Sequence, residues 1–218
     1  MDEARLRDEI CRVGASLFAR GYVHATAGNI SARLGDGFLI TPTDACLGFL
    51  DPARLAKVDA SGASVGGERP SKTLALHRRI YESDPSAGCV IHTHSTHLVA
   101  LTLAGTWTRE EILPPITPYF VMKVGHVPLI PYHRPGDARV ADLVAAAIGS
   151  AADRGVPIRA VMLERLGPNA WHETPAAAMA VLEELEETAR LWMLAGRRAE
   201  PLDATQIDEL RRAFGARW

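Results

Sequence analysis

Apolar residues at helical spacing open the chain. Leu6, Ile10, Val13, Leu17 and Phe18 recur every three or four positions and stop at Gly21, which predicts an amphipathic helix over 2–20. The loop "HATAGNIS" (24–31) is made of small and turn-forming residues. "ISARL", the turn Gly35-Asp36-Gly37 and "FLIT" then read as a β-hairpin closed by "TPTD" (41–44). Pro70 sets up Ser71 as the N-cap of a helix that runs through Leu74, His77, Ile80 and Tyr81 to about residue 83. A strand over 88–94 follows, then a short helix over 98–105, a strand over 126–132 and a helix over 137–149. A strand over 158–166 turns at Gly167-Pro168, and a long helix from near Thr174 precedes a last one near 203–214. Strands interleaved with helices predict an α/β layered sheet. At 218 residues the chain can bury a sizeable core, and residues 1–218 read as one domain.

Inside the strand at 88–94 the pattern becomes unusual, because "CVIHTHSTH" (89–97) sets three histidines into an apolar run. Side chains alternate faces along a strand, so Val90, His92 and His94 share one side while Cys89, Ile91 and Thr93 share the other. Two imidazoles whose bases stand about 6.6 Å apart can converge on one divalent ion. The same spacing also suits a polar strand end.

Charge and composition narrow what such a site could serve. A net charge of −2, with no run rich in Lys or Arg, leaves no field to hold a nucleic acid. The N-terminus opens on a charged amphipathic pattern, and no apolar stretch approaches the roughly 20 residues a bilayer needs, so the expected location is cytoplasmic, away from membranes. Cys11, Cys46 and Cys89 are far apart and odd in number, which favours reduced thiols. "TAGN" offers backbone N–H groups to an anion, and Ser71 at a predicted helix N-terminus suits a phosphate; the same residues also read as a tight loop and a helix cap.

In "TAGNIS" (26–31), "LITPTD" (39–44), "PSK" (70–72), "HTHSTH" (92–97) and "ITPYFVMKVG" (116–125), the chain resembles the class II aldolase/adducin family over nearly its whole length. "HSTH", "PYFVMKVG", "PYHRPGD" and "VLEELEETARLW" (181–192) are most similar to its 3-oxo-tetronate 4-phosphate decarboxylase branch. The resemblance implies a three-layer α/β/α sandwich around a mostly antiparallel sheet, assembled as a homotetramer with sites between subunits. It implies that His92 and His94 hold Zn2+, or another divalent metal such as Mn2+ or Co2+. Gly28, Asn29, Thr43, Asp44, Ser71 and Lys72 would line the pocket for a small phosphorylated sugar acid. Tyr119 would be an acid/base from the adjoining subunit, or else an aromatic packing beside Phe120. His97 would support the site or the fold, and Arg134 would either pair with a substrate anion or be only a loop residue.

Two departures stand out against that resemblance. Where family aldolases place a glutamate base this chain has Thr73, and where an "NHG"-like motif supplies a third metal histidine it has Leu166. His172, His133 and Glu164 are the candidate replacements. A two-residue turn at Gly167-Pro168 pairs 166 with 169 and turns His172 away; a three-residue turn pairs 166 with 170 and brings His172 and Glu164 to the Leu166 face. Aldol addition needs a base to remove a carbon-bound proton, whereas loss of CO2 from a β-keto acid delivers the enediolate directly and needs only a proton donor afterwards. The missing glutamate therefore favours decarboxylation, or an epimerase-type retro-aldol step, over ordinary aldol condensation. Together with the resemblance it implies a metal-dependent carbon–carbon lyase that decarboxylates a 3-oxo sugar-acid phosphate to a ketose phosphate such as dihydroxyacetone phosphate. An aldolase or 4-epimerase on a related sugar phosphate, and a non-catalytic adducin-like interaction module, are the alternatives.

Overall fold

The computed structural model describes residues 2–218. In chain order its strands are β1 (Asn29–Leu34), β2 (Gly37–Ile40), β3 (Ala56–Val58), β4 (Ser64–Gly66), β5 (Cys89–His92), β6 (Leu129–Ile130), β7 (Ala160–Leu163) and β8 (Gly167–His172). The helices are α1 (Glu3–Ala19), α2 (Leu74–Ser83), α3 (Thr96–Ala104), α4 (Arg139–Asp153), α5 (Pro175–Leu194) and α6 (Ala204–Phe214). The strands form one sheet in the order β4-β3-β2-β1-β5-β8-β7-β6. Every neighbouring pair is antiparallel except β6 with β7.

Period-two alternation sorts the sheet's side chains into two cores. Ile30, Ala32, Leu39, Cys89, Ile91, Met162 and Ala170 face α1, α3 and α5, where Ile10, Leu17, Leu98, Leu101, Leu182 and Leu185 meet them. On the other face Phe38, Val58, Val90, Val161 and Trp171 pack against Ile80 and Tyr81 of α2 and Val144 and Ile148 of α4. This is the expected α/β/α sandwich with a mostly antiparallel sheet. The long helix also starts as its sequence suggests: the Thr174 side chain accepts from the N–H of Ala177, with Pro175 at the first helical position.

Several element boundaries differ from the pattern-based reading, each for a local reason. The strand predicted over 126–132 shrinks to Leu129–Ile130 because Pro128 and Pro131 bracket it and supply no N–H. The strand predicted over 88–94 stops at His92, after which the chain turns through a 2.6 Å Thr93–Ser95 hydroxyl bond into α3. Ser71 is not a helix N-cap, since α2 begins only at Leu74 with Thr73 before it. Ser71 is instead held by an isolated bridge between Pro42 and Pro70 and by its own N–H donating to Thr41 O at 3.2 Å. The strands β3 and β4 at one side of the sheet, three residues each, are not predicted; runs that short carry too little alternation to read. All three cysteines are free. Among the described residues no helix is long and apolar enough to cross a membrane.

Candidate active site

The three central strands align a polar row across the face beneath α2 and α4. Asn29 on β1 pairs with His92 on β5, and His92 pairs with Asn169 on β8. Side chains of directly opposed residues point to the same face, so these three stand side by side. His92 is buried, and its Nδ1 donates to the Pro168 carbonyl at 2.9 Å, which fixes the tautomer and leaves Nε2 with a free lone pair. His94 lies half-buried in the turn beyond the strand, its ring centre 5.1 Å from that of His92. Beyond it stands His24, whose ring centre is 6.3 Å from that of His94.

The turn that carries His94 is pinned from the opposite layer. Buried Glu186 of α5 accepts from the N–H groups of His97 (2.9 Å) and Leu98 (3.1 Å) and from His97 Nδ1 (2.8 Å). A carboxylate at the N-terminus of α3 satisfies amides that have no partner within the helix. His97 is thus part of the support for this turn and does not line the pocket.

A cavity of about 740 Å³ opens above the polar row. Gly28, Asn29, Thr43, Asp44, Ser71, Lys72, His92 and His94 all line it, so eight of the nine candidate residues converge. Gly28 has φ +85°, and a Cβ there would lie 2.7 Å from Val23 and 2.9 Å from His92 O, so the loop lies close against the end of β5. Thr73 Oγ1 donates to Asn29 Oδ1 at 2.9 Å and lies 3.0 Å from Ser71 Oγ. Lys72 Nζ stands 4.0 Å from Asp44 Oδ2 at the exposed rim. A second, more open groove along α1, lined by Arg5, Asp8, Glu9, Cys11 and Arg12, contains none of these groups.

Two imidazoles bound at about 2.0–2.1 Å to one tetrahedral ion have ring centres about 5 Å apart. The His92–His94 pair fits that arrangement, with a free Nε2 on His92. Among the described residues, no three His, Cys, Asp or Glu side chains group as a metal site.

Residues 8–193 match the family described as Class II Aldolase and Adducin N-terminal domain. The chain belongs to this family. It is 58% identical to a 3-oxo-tetronate 4-phosphate decarboxylase of Cupriavidus necator, over 99% of both chains. It is 43% identical to the enzyme of the same name from Escherichia coli K12, over 96% of both. The solved structure of Escherichia coli YgbL superposes with a TM-score of 0.86 at 42% identity, covering 96% of this chain and 99% of that one.

Within this class II aldolase fold the two sequence departures have definite surroundings. Leu166 lines the pocket and offers it only carbon. Neither predicted register of the β7–β8 turn occurs, because the turn is Glu164-Arg165-Leu166, with Leu163 opposite Gly167 and Arg165 in the left-handed region at φ 63°. His172 consequently pairs with Cys89, at the far end of β5 and on the α5 face, where its Nδ1 accepts from the Glu173 N–H. It is therefore not a ligand beside His92. His133 and Glu164 do line the pocket, and a Glu164 carboxylate oxygen accepts from the Tyr132 N–H at 2.8 Å. Tyr119 is 61% exposed and does not line this chain's pocket; Phe120 beside it is buried.

Asn169 does not stand out in the sequence as a site residue. It is fully buried, and neither its amide oxygen nor its nitrogen has a partner among the described residues. Its one signal in the sequence is an amide between Pro168 and Ala170 in a predicted strand. His77, which the sequence shows only as part of a helix pattern, is likewise buried, with Nδ1 2.7 Å from Ser31 Oγ and Nε2 without a partner among the described residues.

Burial makes acid costly to this site. It pushes His77 down to about 3, helped by His92 nearby, and pushes His92 down to about 4, helped by His94 and opposed by the Pro168 carbonyl. Burial and His24 lower His94 as well. With folded values below the ordinary 6.5, the unfolded chain binds more protons once the pH falls below about 6.5. Stability should therefore decline from there down to about 4 for His92 and about 3 for His77. At pH 5.5 the deficit is on the order of 1 kcal/mol for each. Thermal melts between pH 7 and 5 check this, and His77→Asn should flatten the slope. A slope unchanged by that substitution would assign the acid sensitivity elsewhere.

Proposed function

We propose that this chain is a carbon–carbon lyase that decarboxylates a 3-oxo-tetronate 4-phosphate to dihydroxyacetone phosphate and CO2. The observation that carries the reading is Thr73. Beside the histidine pair stands a hydroxyl hydrogen-bonded to Asn29, in place of a carboxylate able to remove a proton from carbon. The pocket's three carboxylates are already engaged: Asp44 faces Lys72, Asp137 binds Arg139, and Glu164 accepts from Tyr132. Decarboxylation does not require such a base. The names carried by relatives at 58% and 43% identity support the same reaction.

In the proposed reaction Gly28, Asn29, Thr43, Ser71 and Lys72 hold the phosphate, which sets the 3-oxo carbon next to the histidines. The C1–C2 bond breaks, its electron pair moves into a C2–C3 enediolate, and CO2 leaves. C2 then takes up one proton. Tyr119 is the proposed donor, reaching the site from a neighbouring subunit of a homotetramer, since it lies outside this chain's own pocket. A divalent ion held by His92 and His94 would supply Lewis-acid polarisation of the 3-oxo group. Thr73 keeps the Asn29 amide oriented, so that its NH2 is the group available to substrate oxygen.

The test measures CO2 release and dihydroxyacetone phosphate from 3-oxo-tetronate 4-phosphate, alongside cleavage of L-fuculose 1-phosphate. Stoichiometric CO2 with little aldol cleavage is expected. Ready aldol cleavage without CO2 would make the protein an aldolase, and neither activity with no bound metal would favour an interaction module.

A further inference from the structure

We infer that Arg134, in the loop between β6 and α4, binds the substrate's carboxylate and selects sugar-acid phosphates over uncharged-end sugar phosphates. The inference rests on the proposed reaction and deepens it.

The sheet order supplies the first observation. β5, which carries His92, has β1 and β2 on one side and β8, β7 and β6 on the other. The phosphate-binding candidates come from the β1 and β2 side, while Arg134 comes from the loop following β6, and both line the same cavity. The histidines therefore sit between the two. In a 3-oxo-tetronate 4-phosphate the reacting carbonyl at C3 likewise lies between a phosphate on C4 and a carboxylate at C1. Holding the phosphate at the first wall directs the carboxylate toward the second.

The second observation is charge. The cationic side chains lining the cavity are Lys72 and Arg134, apart from its histidines. Lys72 faces Asp44, whereas Arg134 has no ion pair or side-chain hydrogen bond among the described residues. Asp137, the acid nearest it in sequence, is committed to Arg139 through two guanidinium bonds of 3.1 and 2.7 Å and one backbone N–H bond. The adjoining His133 is fixed by Nδ1 donating to Pro131 O at 2.8 Å, which holds the loop's entry. A planar guanidinium without a partner suits a carboxylate bidentately.

The chemistry also says how the effect should divide. The carboxylate's charge disappears as neutral CO2 forms, so an ion pair to it stabilises the bound substrate more than the transition state. Loss of Arg134 should raise KM about tenfold and leave kcat unchanged or higher.

Binding of two unreactive four-carbon compounds to the intact protein, erythronate 4-phosphate and erythritol 4-phosphate, tests the inference by calorimetry. The wild-type protein should prefer the acid at least tenfold. Arg134→Gln should remove that preference while changing erythritol 4-phosphate affinity less than twofold, and Arg134→Lys should restore part of it. Retention of the preference in Arg134→Gln would overturn the assignment. Wild-type protein that binds both compounds equally would overturn it too, leaving the phosphate site standing, and failure to bind either would remove the underlying function as well.

Discussion

Alanine at His92 or His94 should lower turnover at least a thousandfold while the protein stays folded. The magnitude follows from the role proposed for the pair: removing one of two imidazole donors removes the ion that polarises the reacting carbonyl, and such Lewis-acid stabilisation is worth several kcal/mol in the transition state. The two variants should separate in stability. His92 is buried and gives up the 2.9 Å bond to Pro168 O, although Thr93 N–H still reaches that oxygen at 3.3 Å, so a loss of about 1–2 kcal/mol is expected. His94 is half-buried with no side-chain hydrogen bond among the described residues, and its removal should cost about 0.5 kcal/mol or less. Turnover, metal content and thermal melts on the same preparations check all three points. A His94→Ala protein retaining a tenth or more of wild-type turnover would end the metal reading of this pair.

The layers of the fold were legible because long amphipathic patterns survive any tertiary detail. Leu6, Ile10, Val13 and Leu17 are buried at the spacing that predicted α1, and the alternation in "CVIH" places Cys89 and Ile91 in one core and Val90 in the other. The pocket was legible through motifs, since "TAGN", "TPTD", "PSK" and "HTH" each contribute residues to its lining. What failed was register. Whether His172 could join His92 depended on where the β7–β8 turn closed, and that depended on Arg165 accepting a left-handed conformation, which residue type does not announce. Ser71 was misread for a related reason: a serine after proline looks like a cap, yet its position is set by pairing of distant residues, Pro42 with Pro70. The buried amide of Asn169 escaped notice because strand pairing, and not sequence proximity, brings it beside His92.

Gly167→Ala should destabilise the protein by about 3 kcal/mol or more and lower turnover in whatever fraction remains folded. Gly167 is the first residue of β8 and adopts φ +141°, a conformation that side-chain-bearing residues rarely take. A Cβ at this position would lie 1.9 Å from the Thr93 carbonyl oxygen and 3.3 Å from His94 Cα. Backbone stands on both sides of that overlap, so it cannot be relieved by rotating a side chain. Either β8 or the end of β5 must move, and steric strain of this kind typically costs 1–3 kcal/mol, to which an unfavourable φ adds about 1–3 kcal/mol. The movement bears directly on the site, because Pro168 O receives both His92 Nδ1–H and Thr93 N–H. Shifting β8 therefore turns the His92 ring and displaces the turn that carries His94. Denaturant melts and the metal content of the folded protein separate the two effects. Wild-type stability together with unchanged metal content would mean that β5 and β8 do not approach each other as closely as this geometry requires.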